Sequence, residues 1–265
     1  EYAWLVPLVP LVLVPVAFIL GRKLPKEGAE IGILGTVVPL FVSVLIAFEY
    51  LAHPEPVKVE MVRWYSSEEI NIILYLRIDP LAILMMLIVS IIATLIMIYS
   101  LGYMHGEEGL PRYFGEMLLF VGSMLLIVMA GDLLTLFIGW EGVGVSSYLL
   151  IGFWYTRPPA ASAAKKAFLT TRMGDIFFTA GIATLFWKFG TLDIMVILSR
   201  IGELDPKLRF LVGLFIFIGA VGKSAQLPLL AWLWDAMEGP TTVSAILHSS
   251  TMVKAGVFLM ARMFP

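Results

Sequence analysis

Ionisable side chains that fall deep inside otherwise apolar stretches include Glu141, Arg172, Asp175, Lys223, His248 and Lys254. Holding a charge at mid-bilayer costs about 2.5–3.5 kcal/mol on insertion scales, so such groups are rare and mark ion paths, relays or buried pairs. Glu141 follows Asp132 by nine residues, roughly 13 Å along a helix. Gly139, Gly142 and Gly144 surround it and let another helix approach. It reads as a proton-binding or ion-pairing carboxylate, against the alternative of a neutral acid that only fixes packing. Lys223 lies sixteen residues after Lys207, roughly 24 Å if the helix is straight. Burial disfavours a charged ammonium and a carboxylate partner favours it, so a lysine switching between the two settings would load and release a proton. Snorkelling to an interface is the alternative. His248 lies about 12 Å past Pro240 and could relay protons through its two nitrogens. Lys254, six residues on, faces about 120° away if the helix is continuous, and is either a further relay or a helix-end snorkel. Arg172 and Asp175, three apart, are expected to form a structural ion pair, with Asp175 doubling as an electrostatic modulator.

The elements that must position these groups follow from composition. The chain has 265 residues, 60% hydrophobic and 14% charged, with a mean hydropathy of +0.93. Soluble domains are nearer 45–50% apolar and about 25% charged, so lipid is the expected solvent. A net charge of -2 offers no basic face for nucleic acid. Without cysteine and with three histidines, the chain has no means for disulfides, iron–sulfur clusters or thiolate sites, and no cofactor or metal is expected on it.

Eight stretches meet the ~20-residue length of a membrane helix: about 3–20, 31–52, 80–103, 113–131, 133–154, 164–188, 208–236 and 240–262. The first lacks a basic leader and carries Pro7, Pro10 and Pro15, so it reads as a membrane helix, not a cleaved signal. Between the second and third lies the polar segment His53 to Asp79, whose alternation over Ile70–Ile78 suggests a surface β-hairpin. Pro228 clashes with the carbonyl four residues back, which breaks the seventh helix around Ser224–Leu227. Broken helices at membrane depth face protein or a wet cavity and recur at the ion sites of transporters. Basic residues divide almost evenly between the two sides. The set Arg22, Lys23, Lys26, Arg112, Arg157, Lys165 and Lys166 is the more clustered and favours the cytoplasm, with the N-terminus outside. Lys165 and Lys166 read as interfacial, and Asp132, Asp235 and Glu238 as entry-side or solvated helix-end charges. The abrupt finish at Phe264-Pro265 suggests a longer parent protein.

Several motifs then occur in order: Trp140-Glu141-Gly142-Val143-Gly144 with Ser146-Ser147-Tyr148, Thr171-Arg172-Met173-Gly174-Asp175, Gly222-Lys223-Ser224-Ala225-Gln226-Leu227-Pro228, Asp235-Ala236-Met237-Glu238-Gly239-Pro240-Thr241, and Val243-Ser244-Ala245-Ile246-Leu247-His248 with Thr251-Met252-Val253. Together they resemble the antiporter-like membrane subunits of respiratory complex I, most of all the large distal (L-type) subunit and the MrpA-type subunit of multisubunit Na+/H+ antiporters.

The resemblance implies an all-α membrane protein of about eight transmembrane helices, the first half of an inverted-repeat antiporter fold. Residues 1–112 would form helices 1–3 and 113–265 the first repeat, helices 4–8, with the second repeat outside this chain. It implies Glu141 and Lys223 as a switching ion pair, His248 with Lys254 continuing the axis, and Asp175 tuning it. The eighth helix fits more loosely, since relatives carry either lysine or histidine there. The implied function is proton translocation within a complex I-like oxidoreductase linked to NADH, ferredoxin, deazaflavin or hydrogen, the redox centres lying on other subunits. Partners would be other membrane subunits, lipid, H+ and possibly Na+, in a prokaryotic cytoplasmic membrane. The alternatives are an MrpA-type antiporter component without redox partner, and a structural membrane module.

Overall fold

The computed structural model describes residues 2–66, 71–249 and 251–264. Helices α1 (Leu5–Leu20) and α2 (Ala29–Ala52) lead into an antiparallel hairpin, β1 (Val57–Ser66) and β2 (Asn71–Ile78). Then come α3 (Pro80–Tyr103), α4 (Leu110–Met129), α5 (Leu133–Ile151), α6 (Pro158–Phe189) and the short α7 (Ile194–Arg200). The chain continues with α8 (Pro206–Lys223), α9 (Trp232–Asp235), α10 (Thr241–Ser249) and α11 (Met252–Met263).

Among the described residues six spans are long and apolar enough to cross a membrane: the regions of α1 to α5, and α10 with α11 taken together. The two other expected spans, α6 and α8, are the ones that carry several charges, among them Lys165, Lys166, Arg172 and Asp175 on α6 and Lys207, Arg209 and Lys223 on α8. Helix α4 is buried on almost every side, as an element apolar all round requires, and packs against α1, α2, α3 and α5. Helices α6 and α8 cross closely at Gly174, where a Cβ would come within 3.3 Å of Gly222 Cα. Without side chains at that crossing the backbones can touch.

The hairpin defines one side of the bundle. The Tyr75 amide donates to Asp132 and the Gly131 amide to the Tyr75 carbonyl. Lys58 pairs with Asp193 at 3.1 Å. Helices α3, α5, α7 and α8 all start on this hairpin side, each with an aspartate N-cap: Asp79, Asp132, Asp193 and Asp205. Each cap satisfies orphan amides and offsets the positive end of its helix, worth about 0.5–2 kcal/mol. Asp132 is therefore not the solvated charge expected from its position: it is buried, accepting from the Tyr75 and Thr135 amides and the Thr135 hydroxyl. Asp235 does lie at the surface, paired with Lys166 at 2.7 Å on the far side.

Helix α8 stops at Lys223, where the break was expected. The carbonyls it frees are taken up within the protein. Gln226 donates its amide to Val221, and the Trp232 indole donates to Gly222 at 3.1 Å. The eighth stretch departs from expectation. It is two helices, not one, with the interruption after Ser249; Ser250 lies outside the described residues. The Thr251 hydroxyl donates to the Ile246 carbonyl, and the Ser224 hydroxyl donates to the Val253 carbonyl at 2.7 Å. The two interrupted helices are thus fastened to each other where both unwind.

Candidate ion-translocation site

The site lies where α5, α6 and α8 meet. Lys223, the last residue of α8, is fully buried, and its Nζ lies 3.5 Å from Asp175 Oδ2. The other Asp175 oxygen accepts a 2.6 Å hydrogen bond from the Trp140 indole. The ammonium also lies 5.8 Å from the Trp140 ring centroid and directly over Gly144, where a Cβ would come within 2.6 Å of it. Lys223 Nζ and Asp175 Oδ2 face each other at ion-pair distance, and neither has a hydrogen-bond partner among the described residues.

Beside this pair lies a second one. Arg172 of α6 donates to Glu141 of α5, with its guanidinium 4.7 Å from the Phe168 ring centroid. Both side chains are partly exposed, and the second Glu141 oxygen is buried without a partner among the described residues. Glu141 and Arg172 also act electrostatically on Lys223. The site is therefore a cluster of four charges, two of each sign, from three helices.

The pairing differs from the expected one. Arg172 and Asp175 do not pair with each other, and Lys223 meets Asp175, not Glu141. Residues three apart on a helix are offset by about 60°. On α6 that offset turns Asp175 into the seam with α8 and leaves Arg172 on the more exposed flank with Glu141.

His248 on α10 has both ring nitrogens buried and without a partner among the described residues. Its ring lies 6.5 Å from that of Trp232, the residue holding the carbonyl before Lys223. Lys254 is exposed on α11, past the interruption, and forms no ion pair among the described residues. Trp140 was not anticipated as a partner of the buried charges. Its only sequence signal was adjacency to Glu141, and an indole N–H within a membrane helix needs an acceptor. Among the described residues no group of three or more His, Asp or Glu could hold a metal.

Comparison with known proteins places this cluster. The family model described as NADH:quinone oxidoreductase/Mrp antiporter, transmembrane, matches residues 130–265, the region that holds Glu141, Arg172, Asp175, Lys223, His248 and Lys254. The chain belongs to that family. The model for the N-terminus of complex I chain 5 matches residues 64–114 as well. Among relatives, the F420H2 dehydrogenase subunit L of Methanosarcina mazei is 44% identical over the whole chain, which spans 42% of that relative's length. The NADH-quinone oxidoreductase subunit L of Mycobacterium tuberculosis is 39% identical, again over the whole chain and 42% of the relative. Among solved structures, the Mrp complex from Dietzia sp. DQ12-45-1b superposes with a TM-score of 0.85 at 31% identity, over 99% of this chain and 28% of that one. A chain of the membrane-bound sulfane sulfur reductase, an archaeal respiratory complex, superposes at 0.84 with 21% identity, over 98% and 52%, a likeness of fold. The chain is an integral membrane protein of antiporter-like fold spanning about two fifths of the curated relatives it matches.

Proposed function

We propose that this chain moves protons as an antiporter-like subunit of a complex I-like oxidoreductase, through the cluster of Lys223, Asp175, Glu141 and Arg172. The observation that carries the reading is the fully buried Lys223, which has one carboxylate at 3.5 Å and a second held alongside by Arg172. A buried ammonium costs several kcal/mol unless paired, so its free energy follows whichever carboxylate it can reach. Protonation of Asp175 removes one partner and drives Lys223 toward Glu141; Arg172 is then released toward Asp175 once that group ionises again. Gly144 leaves the ammonium room for that swing. Between the two carboxylates the buried ammonium is unpaired and gives up its proton, and His248, next to Trp232, is the acceptor we assign on α10. The redox centres and cofactors belong to other subunits in this reading.

The test is coupled ion uptake in vesicles holding the full complex, with a pH dye and with sodium present or absent. The Lys223→Ala variant is expected to assemble and to retain electron transfer while losing uptake. Normal uptake in a Glu141→Gln, Lys223→Ala double variant would leave the cluster a packing device. The second reading is an MrpA-type sodium/proton antiporter component, favoured by the 31% identity to a chain of a solved Mrp complex. Uptake that requires sodium and persists without electron transfer would select it.

A further inference from the structure

Outside the central cluster the membrane region holds another buried acid, Glu116 of α4. It is 2% exposed, and it is the one carboxylate within that helix. Arg112, one turn earlier, places its Nε 3.2 Å from Glu116 Oε1. That arginine is otherwise engaged: it donates to the Phe153 carbonyl at 2.5 Å and lies over the rings of Phe153 and Tyr155. The second oxygen, Glu116 Oε2, has no hydrogen-bond partner among the described residues. The residue Glu116 belongs to the lining of a cavity of about 330 Å³ on the far side, opposite the hairpin. Tyr148 of α5, Tyr155 of the loop that follows it and Lys165 of α6 complete the titratable lining with Arg112. Tyr155 and Lys165 are exposed, so the cavity reaches the surface, and it is large enough to hold several waters.

The two helices that line this cavity run from it to the central cluster. Tyr148 is seven residues from Glu141 on α5, and Lys165 is seven from Arg172 on α6. Seven residues are two turns, so each pair shares a face and is separated by roughly 10 Å. Phe168 stands between them, packed on Tyr148 at 5.4 Å and under the Arg172 guanidinium. The cavity floor thus ends two turns from the partly exposed Glu141–Arg172 pair.

We propose that Glu116 is a proton-binding group at the far-side mouth of the path, exchanging protons between water in this cavity and Glu141. The inference rests on the translocating role of the central cluster. A proton suits the site better than a sodium ion, because Arg112 and Lys165 put two positive charges at the rim and the buried carboxylate is the single anionic ligand. The protonated acid is neutral and releases Arg112 to its carbonyl and ring contacts; the ionised acid regains the arginine. Each state has a partner ready, as a group that titrates in place requires.

Two measurements on the full complex in vesicles test this. In the first, wild-type complex is treated with dicyclohexylcarbodiimide, which adds to protonated carboxyls in apolar surroundings and remains as an N-acylurea, and peptide masses locate the adduct. Adduct on Glu116 is expected; its absence overturns the proposal. In the second, proton uptake is compared in Glu116→Gln, Glu116→Asp and Lys223→Ala. The expected pattern is loss of most uptake in Glu116→Gln, recovery in Glu116→Asp, and complete loss in Lys223→Ala. Wild-type uptake in Glu116→Gln with loss in Lys223→Ala overturns the role of Glu116 alone. Undiminished uptake in Lys223→Ala overturns the reading of the cluster itself. If Glu116→Gln does not assemble, the adduct and the activity of Glu116→Asp decide.

Discussion

The carboxylate that faces Lys223 is itself aimed by a residue that carries no charge. The Trp140 indole fixes one oxygen of Asp175 and so aims the other at the ammonium. Trp140→Phe keeps a ring and deletes the donor; a hydrogen bond to a charged group contributes about 1.5–3 kcal/mol, so the variant is expected to lose stability of that order and to melt at a lower temperature in nanodiscs. It is also expected to slow ion uptake, because Asp175 is freed to turn. Gly144→Ala tests the space on the other side of Lys223. Its methyl would meet the flexible end of the lysine and not backbone, so assembly is expected to survive while uptake falls. Immunoblots of the assembled complex beside the uptake assay separate the two effects. At this scale the sequence revealed which residues are deep, since depth follows from counting along a helix. It did not reveal who pairs with whom. Pairing depends on how α5, α6 and α8 are rotated about their own axes, and the Gly174–Gly222 crossing that sets this rotation joins residues far apart in the chain.

Among the elements, the interruption of the seventh span was legible because proline has a fixed steric consequence, here four residues before Pro228. The interruption after Ser249 was not. It depends on hydroxyls of Thr251 and Ser224 taking over helix carbonyls, and Ser and Thr occur as often within intact membrane helices. The hairpin was legible from its alternation, but not the way it holds aspartate-capped helix starts together. Tyr75 is central to that hold. Burial first, then the Asp193 and Asp132 charges, pushes its hydroxyl up, so it stays protonated across the physiological range. Asp79 ends the hairpin and caps α3, with Arg77 at 2.8 Å and Arg262 of α11 as partners. Burial alone would raise its carboxyl, but Arg262, the Ala82 amide and Arg77 outweigh burial and hold it below the ordinary value. A depressed carboxylate contributes stability that is present above its unfolded value and is lost as pH falls through the folded one. Thermal unfolding in nanodiscs from neutral pH to about pH 3 is expected to show this acid loss in wild type and a smaller one in Asp79→Asn, which starts from a lower melting temperature.

At the scale of the whole molecule, the division of basic residues into two sets agrees with the structure. Lys58 and Arg77 lie on the hairpin side, Lys166 and Arg112 on the far side. Because the chain contains no cysteine, single cysteines report its orientation directly. Val62→Cys on the exposed hairpin is expected to react with a membrane-impermeant maleimide from outside intact cells, and Lys23→Cys only after permeabilisation. The reverse pattern would invert the orientation. The bond between Asp79 and Arg262 joins residues 183 apart, which has a consequence for the order of synthesis. When the ribosome has delivered the hairpin and α3, Arg262 does not yet exist. Arg77, two residues from Asp79, serves as the interim counter-charge, while Asp79 already caps the helix by accepting from the Ala82 amide. Arg262 arrives 183 residues later and finds an acid already in place. The two halves of the contact are thus unequal: Arg262→Ala returns Asp79 to the partner it had during insertion, whereas Asp79→Asn leaves a late-arriving arginine in the bilayer with no acid to receive it. Pulse-chase measurement of insertion should find the second variant degraded faster than the first.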